Sequence, residues 1–309
     1  MRSTRRFALG ATLLALALLG AACGGSGGGG TTTGGSSAGG GCNLTVGVSG
    51  NFSESKIVAQ MYGQALQNAG CTVDYQLDLS SRKVSDQALF SGRIDLKPEY
   101  LGSESSALDA NAKVSGDAGN NAAILKKLEA KKGVNVLNFA PAIDTNVFVV
   151  TKATASKYHL STVSDLAPLA SKFIFGAPPD CATNKFCAIG LKNLYGIQFK
   201  QIQTTDFGGP ITVHALKAGT IQVGELFSTS VYDPDFLVLT DDKHLEASDN
   251  IVPVIRKDAD SSKIDSVLNA ISAKLTTEKM LALNKQVDIA QQDPAAVAKS
   301  FLQEEGLLS

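Results

Sequence analysis

Two aromatic residues stand at the ends of two similar stretches of sequence. Ala88–Tyr100 aligns without gaps with Ala215–Phe227; Ala, Leu, Gly and Ile recur at matching positions, and an aromatic ring comes last in both. Each copy predicts a helix end, a glycine and a short strand with a ring just past its carboxyl end. Ligands bind at that edge of open α/β sheets. The repeat predicts a ligand cleft that receives Tyr100 and Phe227 from opposite sides; alternatively, Gly-x-Ile-x-Leu is simply a common form of helix-to-strand connection.

Residues that could catalyse a reaction are isolated from one another. No nucleophile or carboxylate motif lies beside any of the three histidines, which are His159, His214 and His244. The acidic pairs Asp241-Asp242 and Glu304-Glu305 fall at a loop and a helix end, where solvated charge is expected rather than acid–base catalysis. Gly208-Gly209-Pro210 lacks the Lys-Ser/Thr of a phosphate-binding loop and indicates a tight turn into a helix. We therefore predict no catalytic residue, no metal site and no cofactor, and keep an enzyme as the main alternative class.

The elements that position the rings alternate between strands and helices. Strand-like segments are predicted at 44–50, 72–77, 94–96, 134–139, 147–150, 173–176, 198–203, 221–223, 236–239 and 251–255. Helices are predicted from Ser53 to Gly70 and at 84–91, 122–132, 161–170, 187–195 and 210–218, with two or three more from 261 to 307. Pro98 is predicted to end its strand and to direct Tyr100 into the cleft. This alternation is typical of a mainly parallel sheet covered by helices.

The same pattern occurs twice, which predicts an α/β protein with two lobes. We expect each lobe to be a mainly parallel sheet flanked by helices. Residues 42–143 and 231–309 are assigned to lobe 1, and residues 144–230 to lobe 2. The chain is expected to cross between the lobes near 143–147 and 228–236, which forms a hinge.

The first 41 residues are predicted to serve export rather than folding. Residues 1–22 carry arginines, an apolar run and small residues, as a secretion signal does, and the run is too short to span a membrane. Cys23 follows as in a bacterial lipoprotein signal, and an ordinary cleaved secretion signal is the alternative. Residues 23–41 form a flexible tether rich in Gly, Ser and Thr. The formal net charge of −1, without a basic stripe, argues against a nucleic-acid partner.

Four cysteines follow Cys23, an even number that suggests two disulfides in an exported protein. Cys181 and Cys187 can close a small loop. Cys42 and Cys71 each precede a strand-like run, so a right-handed crossover places them at the same edge of neighbouring strands. Metal binding is the rival interpretation, but neither Cys-x-x-Cys nor clustered histidines accompany these residues.

The chain resembles the solute-binding proteins of ABC importers for glycine betaine, choline, carnitine and related osmoprotectants. The resemblance runs from Leu44 to the final helices, through Gly50–Ser55, Ser81–Val84, Ser91–Ser103, Asp144–Val150, Gly176–Cys181, Gly208–Val213 and Asn250–Val254. It implies a periplasmic-binding-protein-like fold of type II that closes on a small solute. It also implies a cage of rings around a quaternary ammonium group, since methylated ammonium cannot donate hydrogen bonds and is attracted to π faces.

Residue by residue, the resemblance implies a ligand site. Tyr100 matches a cage tyrosine, and Ser103 matches a hydroxyl that bonds the acidic end of the ligand. The implied ligand-binding positions are Asn51, Ser53, Ser55, Tyr100, Ser103, Asn146, Phe227 and Thr229. Asn146 stands where many relatives have tyrosine, Val213 replaces another ring, and Phe227 lacks a hydroxyl. This incomplete cage leaves a different polar or phenolic solute as the alternative ligand.

The resemblance also implies partners and a location. We expect an extracytoplasmic receptor that is lipid-anchored to the outer face of the plasma membrane, or periplasmic. We expect it to be a monomer that hands its solute to an ABC permease, with no reaction on this chain. A structural or adhesive surface lipoprotein, by contrast, predicts no solute cleft.

Overall fold

A computed structural model describes residues 42–50, 52–206 and 208–308. The predicted leader at 1–22, the lipidation site Cys23, the tether up to residue 41 and the predicted ligand residue Asn51 lie outside the described residues. Within the described ranges, no helix combines the length and the apolar character that a membrane crossing requires.

Strands and helices alternate along most of the described chain. The strands are β1 (Asn43–Ser49), β2 (Thr72–Leu79), β3 (Leu96–Tyr100), β4 (Val134–Val136), β5 (Asn146–Thr151), β6 (Ile174–Ala177), β7 (Gln201–Thr204), β8 (Val223–Phe227), β9 (Phe236–Val238) and β10 (Ile251–Arg256). The helices are α1 (Ser53–Asn68), α2 (Arg82–Ser91), α3 (Leu101–Leu108), α4 (Ala118–Ala130), α5 (Lys152–Tyr158), α6 (Ala188–Gly190), α7 (Pro210–Lys217), α8 (Ser262–Lys274), α9 (Thr277–Asp288) and α10 (Pro294–Glu304).

Two five-stranded sheets share one topology. Their strand orders are β2-β1-β3-β10-β4 and β7-β6-β8-β5-β9, so β3 and β8 are equivalent central strands. The prediction of an α/β fold with two lobes is confirmed. Each sheet is mixed rather than mainly parallel, with two parallel and two antiparallel pairings. The antiparallel strands β10 and β5 each follow a crossing between the sheets, and therefore run against β3 and β8.

The repeated stretch keeps its form in both sheets. Gly92 ends α2 with a φ of 77°, and Gly219 follows α7 with a φ of 70°. Both angles lie in the left-handed region that glycine adopts without a steric penalty, so each glycine can turn the chain from helix to strand. The strands that follow end at Tyr100 and Phe227. The predicted order of helix, glycine, strand and ring is confirmed in both copies.

Apolar side chains cover both faces of each sheet. On the first sheet, one face packs against α1 and the C-terminal helices, through residues such as Ile57, Leu268 and Phe301. The opposite face packs against α2 and α4 through Leu89 and Leu125. The second sheet likewise lies between two apolar clusters. The C-terminal helices return to the first sheet as predicted.

Pro98 does not end its strand. It lies inside β3, directly opposite Pro253 of the antiparallel neighbour β10. Opposed residues in an antiparallel pair either exchange two hydrogen bonds or none. Because neither proline has an N–H to donate, this pair occupies a position where the ladder needs none. The prediction that Pro98 breaks the strand is therefore wrong.

The helix predicted at 161–170 is also wrong. Two single 3₁₀ turns form instead, at Ser164–Leu166 and Ala170–Lys172. The carboxylate of Asp165 accepts hydrogen bonds from the backbone N–H groups of Ser161 and Thr162. Such local side-chain bonds compete with regular helix formation.

Two adjacent antiparallel segments cross between the sheets. Ile143 pairs with Asn250, and the N–H of Asp144 donates to the carbonyl of Asp249 at 3.0 Å. The second crossing therefore lies near 247–250. The prediction that it lies near 228–236 is wrong. The physical reason is that β9 pairs with β5 in the second sheet, so the predicted assignment of residues 231–309 to lobe 1 is wrong for β9.

Candidate functional site

A cavity of about 420 Å³ lies between the two sheets. Its walls come from both sheets, from the crossing segments and from the loop near the Cys181–Cys187 pair. The lining residues include Phe52, Arg82, Tyr100, Gly102, Ser103, Asp144, Asn146, Phe186, Glu225, Phe227, Glu246 and Asp249. The cavity is thus open to contacts from both halves of the fold at once.

Tyr100 and Phe227 occupy equivalent places on the two sides of this cavity. Each is the last residue of a central strand, β3 or β8. The hydroxyl of Tyr100 donates to Oε1 of Glu54 at 2.8 Å, and Glu54 is a buried residue in the first turn of α1. Burial, together with the charges of Glu54 and Asp144, raises the pKa of Tyr100 well above its ordinary value. The ring is therefore held in place as a neutral phenol.

Phe52 adds a ring that sequence reasoning missed. It precedes α1 in the first lobe, yet its ring meets that of Phe227 edge to face, with centroids 5.6 Å apart. Phe186, from the loop that follows Cys181, lines the cavity as well. Together with Tyr100, these are the four aromatic rings in the described part of the lining. Such faces attract a cation within about 6 Å of a ring centroid.

Ser103 is already engaged by a carboxylate of the chain. Its Oγ donates to Oδ2 of Asp249 at 2.5 Å, and the N–H groups of Gly102 and Ser103 donate to Oδ1 at 2.6 and 2.7 Å. These donors belong to the first turn of α3, where the helix dipole favours negative charge. Asp249 therefore occupies the anion position at the start of this helix.

Four further carboxyl groups, on Asp144, Asp180, Glu225 and Glu246, line the cavity. Burial, reinforced by the charge of Asp180, raises the pKa of Glu225 to about 8. Burial also raises the pKa of Asp144 and of Glu246 well above their ordinary values. Among the described groups, Oε1 of Glu246 is buried and has no hydrogen-bond partner, while Oε2 accepts a long bond of 3.4 Å from Asn146.

Two basic residues, Arg82 and Lys185, stand in the described lining of the cavity. The Nζ of Lys185 lies 4.9 Å from the ring centroid of Phe186, whereas Arg82 belongs to a buried ionic network. Its Nε lies 3.2 Å from Glu99 and 3.4 Å from Glu104. Behind it, the buried Nζ of Lys97 lies 2.8 Å from Glu99 and forms an ion pair with Asp86. Much of the charge of Arg82 is thus balanced before any solute enters.

The structure brings half of the predicted ligand residues to the cavity wall. These are Tyr100, Ser103, Asn146 and Phe227. Ser55 lies behind Tyr100, with its Oγ 3.5 Å from the phenolic oxygen. Thr229 is buried and donates to Asp144 at 2.7 Å. The ligand-binding roles of these residues stay predictions.

Ser53 points away from the cavity. Its Oγ donates to Asp288 at 2.6 Å, and Tyr232 donates to the other oxygen of the same carboxylate. The N-cap of α1 is Phe52, and Ser53 is the first residue of the helix.

Most of the acidic residues that sequence reasoning missed lie on or beside the crossing segments, and Glu225 lies in β8. Asp144 opens Asp144–Val150, one of the stretches that carry the family resemblance. Glu225 stands two residues before Phe227. Glu246 and Asp249 belong to a region with no motif of its own. The pairing of 143–145 with 247–250 brings them to the cavity, and this pairing has no local signature in the sequence.

Both predicted cysteine pairs are at disulfide distance. Cys42 lies beside Cys71, and Cys181 beside Cys187. Oε2 of Glu225 lies 2.9 Å from the sulfur of Cys187. A disulfide sulfur has no hydrogen to donate, so this contact does not satisfy the buried carboxyl group.

Comparisons with known proteins agree along the whole folded part of the chain. Residues 43–304 match the family described as the substrate binding domain of ABC-type glycine betaine transport system. A glycine-betaine-binding protein of Pseudomonas aeruginosa is 28% identical over 271 residues, which cover 83% of this chain and 86% of that protein. The carnitine transport binding protein OpuCC of Listeria monocytogenes is 26% identical over 260 residues, covering 81% and 83%.

A solved structure agrees with the fold. The crystal structure of a glycine betaine/carnitine/choline ABC transporter superposes with a TM-score of 0.75 at 24% identity. It covers 86% of this chain and 100% of the other.

Proposed function

The chain belongs to the family of substrate-binding domains of ABC-type glycine betaine transport systems, and from that premise we propose that it captures a small quaternary ammonium solute between its two sheets. One observation carries this proposal. The ring that ends β3 and the ring that ends β8 line the same cavity, one from each half of the fold.

The chemistry of the cavity suits a methylated ammonium group. Such a group cannot donate hydrogen bonds, and π faces offset the loss of its water, each by about 0.5–2 kcal/mol. Phe52, Tyr100, Phe186 and Phe227 supply rings to the wall of the cavity, and the ammonium of Lys185, 4.9 Å from the centroid of Phe186, already shows a cation beside one of them. The lining carboxyl groups add negative potential when they ionise, and a bound cation favours their ionised forms.

Capture and release follow from the two crossing segments. A solute that contacts both lobes favours the closed arrangement, because only that arrangement lets both sets of contacts form. The hinge would lie at 143–145 and 247–250, and we assign 42–142 with 251–308 to one lobe and 146–246 to the other. The closed form would then dock on the permease of an ABC importer.

The working location of the protein is outside the cytoplasm, as for substrate-binding proteins of ABC importers generally. We propose that residues 1–22 direct export, that Cys23 carries a lipid anchor and that residues 23–41 are the tether. Two disulfides suit an oxidising compartment. We propose that the receptor acts as a monomer and transports its solute unchanged.

A thermal-shift titration with choline, glycine betaine and carnitine tests the proposed function. A ligand at about 100 times its dissociation constant stabilises the folded state by roughly 2.7 kcal/mol. Tyr100→Ala should abolish the shift. Phe90→Ala is the matched control. This partly buried ring packs on the face of the first sheet that contacts α2 and α4, and it does not line the cavity. If none of the three solutes shifts the wild type, the proposal is wrong.

A further inference from the structure

Resting on this proposed function, we propose that the cavity selects a quaternary ammonium solute with a net positive charge and a hydroxyl group over a zwitterion with the same ammonium group. Choline and glycine betaine are the matched pair, since they share a trimethylammonium group and differ in a hydroxymethyl against a carboxylate. Three features of the cavity wall support the inference.

The first feature is the position of Asp249. The start of α3 offers two N–H groups and the Ser103 hydroxyl, the donors that a ligand carboxylate would need. Asp249 takes all three at 2.5–2.7 Å, from a crossing segment of the same chain. Ser103 was expected to donate to the acidic group of the ligand. In the structure it donates to a carboxylate of the protein instead. A zwitterion would have to displace Asp249 and leave that carboxylate buried without its donors.

The second feature is the balance of charge. Five acidic residues line the cavity, namely Asp144, Asp180, Glu225, Glu246 and Asp249, against the two basic residues Arg82 and Lys185. Arg82 is paired with Glu99 and Glu104 on its other side. Lys185 is exposed on a loop. A ligand carboxylate placed among these groups disfavours their ionised forms still further, whereas a cation favours those forms.

The third feature is an acceptor that lacks a donor. Oε1 of Glu246 is buried and has no hydrogen-bond partner among the described groups. A buried acceptor without a donor costs free energy, and a ligand that donates removes that cost. A bound cation favours the ionised form of Glu246, and the hydroxyl of choline can then donate to that carboxylate, whereas glycine betaine has no hydrogen to donate. The unpaired oxygen thus favours the alcohol.

Titration calorimetry of the two solutes tests the inference. The wild type should bind choline at least about tenfold more tightly than glycine betaine, which corresponds to about 1.4 kcal/mol. Asp249→Asn should narrow this gap to about threefold or reverse it, because a neutral amide holds the donors of α3 less strongly than a carboxylate does and no longer repels the betaine carboxylate. Asp293→Asn is the control, since Asp293 also accepts at a helix start, at α10, but lies outside the cavity.

Each outcome separates the inference from the proposed function. Equal or tighter binding of glycine betaine by the wild type overturns the inference and leaves the receptor function intact. Binding of neither solute, nor of carnitine, overturns the proposed function and the inference with it. If Asp249→Asn does not fold, Glu246→Gln gives a second measurement, which should weaken choline binding more than betaine binding; equal weakening overturns the inference.

Discussion

Tyr100 and Phe227 end the central strands of two topologically equivalent sheets, and both rings line one cavity. The relationship depends on the repeated stretch that places a glycine with positive φ between helix and strand in each lobe. The same connection thus presents one ring from each lobe to the space between them. A solute held between the rings contacts both lobes, which couples binding to closure.

Phe52 should contribute to ligand binding more than to folding. Its ring is 40% exposed, so truncation removes little buried surface from the core. Phe52→Ala should weaken choline binding by about 0.5–2 kcal/mol, the value of one lost π face. Calorimetry measures this, and Ile211→Ala, an exposed apolar residue outside the cavity, is the control. If Phe52→Ala binds choline as tightly as the wild type does, the ring of Phe52 is not part of the binding site.

Cation binding should strengthen as pH rises. Burial raises the pKa of Glu225 to about 8, so much of this carboxyl group is protonated at neutral pH. A bound cation favours the ionised form and lowers that pKa, so the complex holds fewer protons than the free protein. The dissociation constant for choline should therefore fall between pH 6 and 9. Glu225→Gln should flatten the profile. A pH-independent constant in the wild type contradicts the prediction.

Glu129 should lower stability as pH rises. Burial raises its pKa from 4.5 to about 7, with Lys97 acting in the opposite direction. Between those values the folded state binds more protons than the unfolded state, so the free energy of unfolding falls with rising pH. The unfolding free energy of Glu129→Gln should therefore rise relative to that of the wild type from pH 4.5 to 7, by at most about 3.5 kcal/mol, since each pKa unit corresponds to about 1.4 kcal/mol. Urea unfolding across this range measures the difference in unfolding free energy between Glu129→Gln and the wild type. If that difference does not change with pH, the protonation of Glu129 is not its cause.

Lys97 should be essential for stability although it does not line the cavity between the two sheets. Its buried ammonium lies between Asp86 and Glu99, and its loss leaves buried carboxylates uncompensated. Lys97→Met should cost about 3–5 kcal/mol of unfolding free energy. Lys217→Met is the control, because its pair with Asp233 is solvent-exposed and should matter little. Similar losses in the two variants would show that burial is not the cause.

Local signals in the sequence predicted the rings but not the acids. Tyr100 and Phe227 were predictable because the repeat carries both the turn and the ring in one continuous stretch. Asp249 and Glu246 reach the cavity only through the pairing of Ile143 with Asn250, which joins residues far apart in the chain. No local pattern specifies that register.

The errors in the fold have the same origin. Pro98 is tolerated within β3 because Pro253 stands opposite it, and that partner is remote in sequence. The direction of β5 and β10 is set by where the chain crosses between sheets, so apolar runs alone predicted parallel strands. The helix predicted at 161–170 does not form, because the carboxylate of Asp165 accepts local hydrogen bonds from backbone N–H groups.

A crystal structure of the protein grown with choline tests the central claim most directly. The account predicts one solute between the sheets, with its nitrogen within about 6 Å of the ring centroids of both Tyr100 and Phe227. A solute bound outside the cavity, or one in contact with the ring of a single lobe, would contradict it.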